Sequence, residues 1–259
     1  MIHLVTTAID IGRRFRHTNA MDFSFYEANL ALLAGLGLPI HVFAEKRTLK
    51  PLAGNPDVRP HPFDIGMIQA QPWSAAASKL WASDDWQHRF KWMRDCNAPE
   101  LLCEFYCQLT AMKLDMLAEV AATVDPETLL VWLDAHDSVM HYRGENFAAF
   151  EQHVTDRIFL HYTPYNWENE ELHGMRWTTF ESLGLKRESR PQMHLMAGIM
   201  VGRAKTFTDF FPHYRATREA LFAKDLGTEQ SILTAMYLRE PDRFFNVHKY
   251  PTLFQVVTR

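Results

Sequence analysis

Leu129-Leu130-Val131-Trp132-Leu133-Asp134-Ala135-His136-Asp137 is the stretch that decides the fold class. Five apolar residues in a row, with no position left to face water, describe a strand covered on both faces. Such a strand belongs in the middle of a mostly parallel sheet. Asp134 and Asp137 then arrive at its carboxyl end, where open α/β sheets bind their ligands. Working outward, His3 to Ile9 reads as a buried strand ending at Asp10, and Ile40 to Ala44 as a second. Arg157 to Tyr162 and Phe244 to Val247 read as two more, and Met193 to Val201 is an apolar stretch with a glycine inside it. Helical spacing runs from Met21 to Leu36, stopped by Gly35 and Gly37, and from Trp73 to Val124 with a break near Asn97-Ala98-Pro99. In the second half of that region, Glu100 to Val124 reads as one long helix. After Val201 another helix runs to about Phe222, and a last one starts at Gly227-Thr228-Glu229-Gln230 with Thr228 as its N-cap. The proline-rich segment Lys46 to Pro72 reads as loop with at most a short strand.

Strands alternating with helices predict an α/β fold: an open, mostly parallel twisted sheet flanked by helices. The 259 residues suit a single domain spanning 1–259. Within it, Thr163 to Pro191 is a long aromatic and charged connection, expected to act as a lid or connection on an acceptor side. Trp167, His173 and Trp177 could stack on sugar rings there, or form a peripheral aromatic cluster.

Composition narrows the function classes. The chain is 47% apolar and 22% charged, which suits a globular protein. No run approaches the roughly 20 apolar residues of a membrane span. With 27 basic and 31 acidic residues the formal charge is −4, so nucleic acid is not the expected partner. The start MIHLVTTAIDIGRR carries its basic residues after the apolar run, the reverse of a secretion signal. Three cysteines make no disulfide framework, so the expected location is the cytoplasm. Cys103 and Cys107 share a helical face without a fourth soft ligand and read as small buried hydrophobes. The 13 histidines are scattered and show no zinc-type spacing.

Four blocks in order carry a resemblance: Thr6-Thr7-Ala8-Ile9-Asp10-Ile11-Gly12-Arg13, Trp132-Leu133-Asp134-Ala135, Ala197-Gly198-Ile199-Met200-Val201-Gly202 and Glu229-Gln230. Together they resemble the HtrL/YibB-like glycosyltransferases of the GT-A type. That resemblance implies transfer of a sugar from a nucleoside-diphosphate donor to a glycan or lipid-linked acceptor, in lipopolysaccharide or other cell-surface glycan synthesis. It places the protein in the cytoplasm, with peripheral contact at the inner face of the membrane. Thr6, Ala8, Asp10 and Arg13 would bind the donor, with Lys113 and Lys249 reaching its phosphates. Gly198 and Gln230 would line the acceptor side. Asp134 would bind metal or donor, joined by Asp137 and His248 around Mn²⁺ or Mg²⁺, which favour oxygen ligands. His136 stands where the family has a second Asp, so the acidic motif departs from its pattern. Glu229 would take the acceptor's proton or orient the acceptor.

Two other classes remain open at this point. Asp134-Ala135-His136-Asp137 is one residue short of the metal motif of arginase-type ureohydrolases, whose other metal-binding segments have no counterpart here. A catalytically silent domain that binds a nucleotide or sugar is the second.

Overall fold

The computed structural model describes residues 1–11, 23–89, 103–135, 154, 156–164, 171–172, 174–186 and 193–248. Its strands are β1 (Ile2–Ala8), β2 (Ile40–Ala44), β3 (Val58–Pro62), β4 (Leu129–Leu133), β5 (Ile158–Pro164), β6 (Glu171–Leu172), β7 (Met175–Arg176), β8 (Met193–Arg203) and β9 (Phe244–His248). β6 and β7 form a small hairpin, and the others form one sheet in the order β3-β2-β1-β4-β8-β5-β9. Every neighbouring pair is parallel except the two made by β8, which runs antiparallel to β4 and β5. The α/β sheet read from the sequence is therefore the one observed.

Helices α1 (Phe23–Ala34), α2 (Lys46–Leu49), α3 (Ile65–Gln69), α4 (Ser74–Trp81) and α5 (Asp84–Arg89) precede β4 in the chain, followed by α6 (Tyr106–Thr110) and α7 (Lys113–Ala121). After it come α8 (Trp177–Glu181), α9 (Ala204–Phe222) and α10 (Glu229–Arg239). The strand period of two sorts the core into two layers. Leu129, Val131 and Leu133 join Leu30 and Leu33 of α1 on one face. Leu130 and Trp132 join Leu114 and Leu117 of α7, Phe207 of α9 and Ile232 of α10 on the other. All five β4 side chains are fully buried, as an unbroken apolar run requires.

Two expectations are corrected. Lys46 to Pro72 holds the one short strand that the sequence allows, β3, and in addition two short helices that it does not predict. Pro60 and Pro62 are tolerated because β3 is an edge strand, where positions facing away from β2 need no donor. The long helix expected over Glu100 to Val124 is broken between α6 and α7 at Ala111-Met112. Neither Gly nor Pro marks that break. The Ala111 carbonyl, left without a helical partner, instead accepts from Tyr214 Oη at 3.0 Å and Arg218 Nη1 at 2.9 Å, both on α9. Arg218 is itself 1% exposed, paired with Asp115 and stacked over Trp73.

Part of the described 163–191 connection is packed into the core. Leu172, Met175, Trp177 and Phe180 are buried, and Trp177 stacks on Phe180 at 5.1 Å. Trp177 is thus unavailable to a sugar ring, while Trp167 and His173 lie outside the described residues. Asp225 ties this region down by accepting from Arg89 Nη1, Thr179 Oγ1 and the backbone N–H groups of Arg176 and Leu226. Cys103 and Cys107 are buried, as read.

Parallel pairing also assembles a row of imidazoles across β1, β2 and β3. His3 Nδ1 lies 3.1 Å from His41 Nε2, and His41 Nδ1 lies 3.0 Å from His61 Nε2. His61 Nδ1 in turn lies 3.0 Å from Glu119 Oε1 on α7. An ionised carboxylate only accepts, so the protons of this chain all point toward Glu119. His41, at the centre, is 6% exposed. Its pKa is pushed down to about 3 by burial, and further by the neighbouring His61, His3 and Arg59.

Candidate functional site

Asp134 continues the alternation of β4, so its carboxylate falls on the face of Leu130 and Trp132, beneath α7. Its backbone N–H donates to the Gly198 carbonyl at 2.9 Å, extending the β4–β8 ladder by one bond. Trp132 Nε1, two residues back on the same face, donates to Asp134 Oδ1 at 2.7 Å. Lys113 is the first residue of α7 and reaches down to the same carboxylate, with Nζ 2.8 Å from Oδ1 and 2.9 Å from Oδ2. The same ammonium lies 2.8 Å from Glu229 Oε1, at the first position of α10, and 3.2 Å from the Ala197 carbonyl. Its charge also sits 5.7 Å from the Trp132 ring centre. Thr228 caps α10 as expected, its hydroxyl accepting from the Gln230 N–H.

The burial of these groups is unequal. The Lys113 side chain is 6% exposed and Glu229 only 2%, while Asp134 keeps 34%. Burial alone would push the Lys113 pKa down, but Asp134 and Glu229 more than offset it and hold it above the ordinary value. Asp134 is therefore the face that the cluster offers outward. One atom stands out beneath it: Glu229 Oε2 is buried and has no hydrogen-bond partner.

A slip in β8 shapes this corner. Leu160 of β5 faces Met200, whereas the next residue, His161, faces Met196. Residues 197–199 are thereby skipped on that side of the strand, a bulge of the kind that re-aims groups next to functional sites. Their carbonyls serve the cluster: Ala197 O accepts from Lys113 and Gly198 O from Asp134.

The sequence singled out Lys113, Asp134, Gly198 and Glu229 separately, and the fold brings all four together. Lys113 does so in a different role, because its three N–H bonds are committed to Asp134, Glu229 and Ala197, leaving none for a donor phosphate. The Thr6 hydroxyl is fully buried and donates to the Leu133 carbonyl at 2.6 Å, which pins β1 to β4 and takes that side chain away from a ligand. Ala8 is likewise buried in the core. Asp10 pairs with Arg47 of α2 at 3.2 Å. Gln230 stands beside Glu229 in the first turn of α10, partly buried. Arg13, Asp137 and Lys249, and the side chain of His248, lie outside the described residues. The Trp132 bond and the β8 bulge escaped the sequence reading, although a Trp two residues before an Asp on one strand face was a readable signal.

The Mn²⁺ or Mg²⁺ expectation can be tested at Asp134. Among the described residues no cluster of His, Cys, Asp and Glu side chains is arranged to hold a metal ion. Both Asp134 oxygens already face the Lys113 ammonium. A divalent ion bound to them would have to share that carboxylate with the ammonium, whereas such ions are held by oxygen ligands whose negative charge is uncommitted. Asp134 as placed does not fit a divalent cation.

No protein-family model and no curated protein matches the chain. Among solved structures it is similar to a 4-diphosphocytidyl-2C-methyl-D-erythritol synthase from Anaerococcus prevotii, at 9% identity and a TM-score of 0.43, covering 96% of this chain and 88% of that one. It is similar too to a mannose-6-phosphate isomerase from Helicobacter pylori, at 10% identity and a TM-score of 0.44, covering 97% and 98%. Likenesses of this degree carry no assignment. No helix among the described residues is long and apolar enough to cross a membrane.

Proposed function

We propose that this protein is a glycosyltransferase of the GT-A type, similar to the HtrL/YibB-like proteins, using a nucleoside-diphosphate sugar as donor. The observation that supports it most is Asp134: a carboxylate at the carboxyl end of a central strand, held rigidly from behind and open in front. In the reaction, an acceptor hydroxyl oxygen bonds to the anomeric carbon as the bond from that carbon to the diphosphate oxygen breaks. The electron pair leaves with the nucleoside diphosphate, and the acceptor proton passes to a base. Asp134 orients the donor by accepting from its hydroxyl groups on the lone pairs that Lys113 and Trp132 leave free. Glu229 is too deeply buried to reach an acceptor hydroxyl, which leaves it to hold Lys113 in place and speaks against direct action on the acceptor. The glycan or lipid-linked acceptor, and a place at the inner membrane face in cell-surface glycan synthesis, rest on the sequence resemblance.

Calorimetry with a panel of nucleoside-diphosphate sugars tests the reading. Asp134→Asn keeps the shape and turns one acceptor oxygen into a donor, so affinity for the donor that binds the wild type should fall tenfold or more. That is about 1.4 kcal/mol, within the range of one hydrogen bond to a charged group. Unchanged affinity in the variant, or no binding of any of the panel to the wild type, overturns the proposal.

A further inference from the structure

The groups around Asp134 form a balanced set. Two carboxylates bring two negative charges, and Lys113 returns one positive charge. The N-termini of α7 and α10, which begin at Lys113 and Glu229, meet at the same place. Each contributes roughly half a positive charge. The sum is close to zero before any ligand arrives. The ammonium also has no hydrogen-bonding capacity left over, whereas the carboxylates do: Glu229 Oε2 is buried without a partner, and Asp134 keeps part of its surface open.

We infer that the Lys113 ammonium is the built-in cation of this site, so that Asp134 and Glu229 hold no divalent metal and Asp134, the exposed member, instead accepts hydrogen bonds from uncharged hydroxyl groups. The inference rests on the reading of the chain as a sugar-transferring enzyme only for the identity of those hydroxyls, which would belong to the sugar or ribose of the donor. A balanced, acceptor-rich corner suits a polyol. It suits neither a phosphate, which needs donors, nor a metal ion, which needs uncommitted negative charge.

Titration of the metal-free protein with Mn²⁺, following the spectrum of the free ion by electron paramagnetic resonance, decides the point. The wild type should leave the free-ion signal as it is in buffer, while Lys113→Met, which releases both carboxylates, should take up one Mn²⁺. Should Lys113→Met fail to fold, Asp134→Asn in the wild-type background replaces it: Mn²⁺ uptake by the wild type that disappears in Asp134→Asn overturns the inference. Uptake that persists in Asp134→Asn lies elsewhere and leaves it standing. Calorimetry with UDP, GDP and CDP separates this inference from the functional proposal. Equal affinity in EDTA and in Mn²⁺, within about twofold, supports both, and binding that requires Mn²⁺ overturns the inference alone. Absence of binding under either condition counts against the functional proposal, and the Mn²⁺ titration still decides the metal.

Discussion

Lys113→Met should lower the stability of the metal-free protein by about 3–5 kcal/mol, on the order of 10 °C in melting temperature for a chain of this size. The size of the effect comes from Glu229 rather than from Lys113. Met fills much of the space of the lysine stem, but Glu229 is 2% exposed and would be left buried with neither counterion nor water. Asp134 suffers less, because it keeps the Trp132 indole and a third of its surface in solvent. The double variant Lys113→Met/Glu229→Leu should therefore recover most of the loss, since removing both partners of a buried pair leaves nothing uncompensated. Urea unfolding at pH 7 measures both variants. A double variant as unstable as the single one would show that the loss comes from packing around position 113 and not from the stranded carboxylate.

Acid should unfold the protein through the histidine row. His41 titrates near 3 when folded and near 6.5 when unfolded, so the unfolded chain takes up the proton first. Its contribution is complete above pH 6.5 and is lost progressively as pH falls toward 3. The physical cause is the absence of any place for a charge: burial disfavours it, His61 and His3 occupy both ring nitrogens, and Arg59 adds positive field nearby. Glu119 lies beyond His61 and stabilises a proton only at that end of the row. Each proton taken up on unfolding tilts stability by about 1.4 kcal/mol per pH unit. Between pH 6 and 4, His41→Gln should thus show a slope shallower than wild type by close to one proton. Carboxylates titrating in the same window affect both proteins and cancel in the comparison. Identical slopes would mean that His41 is already charged in the native state.

The two results differ in how far the sequence announced them. β4 was legible because five apolar residues followed by Asp leave few alternatives, and its neighbours followed from short β-branched runs. Thr228 was legible as a cap because its chemistry is local. Lys113, Asp134 and Glu229 were each visible as residues, but not as a cluster, since their separations of 21 and 116 positions are bridged only by the assembled sheet. The histidine row was hidden for the same reason: its links span 38, 20 and 58 positions, and only parallel strand order places those rings side by side. The break between α6 and α7 was illegible because its cause is on another helix. Tyr214 and Arg218 hold the Ala111 carbonyl from more than a hundred residues away, and that hold sets where Lys113 begins its turn.

The prolines of β3 have a consequence for life at cellular concentration. A free sheet edge is a template on which another copy of the chain can add a strand, the first step toward aggregates. Pro60 and Pro62 remove two of the three outward donors along a five-residue strand, because the alternate residues Arg59 and His61 are the ones that face β2. An incoming strand would find acceptors there with almost nothing to give in return. The β3 edge, built from strands that precede β4 in the chain and so formed before β4 is there to pair with β1, is thus blunted from the moment it forms.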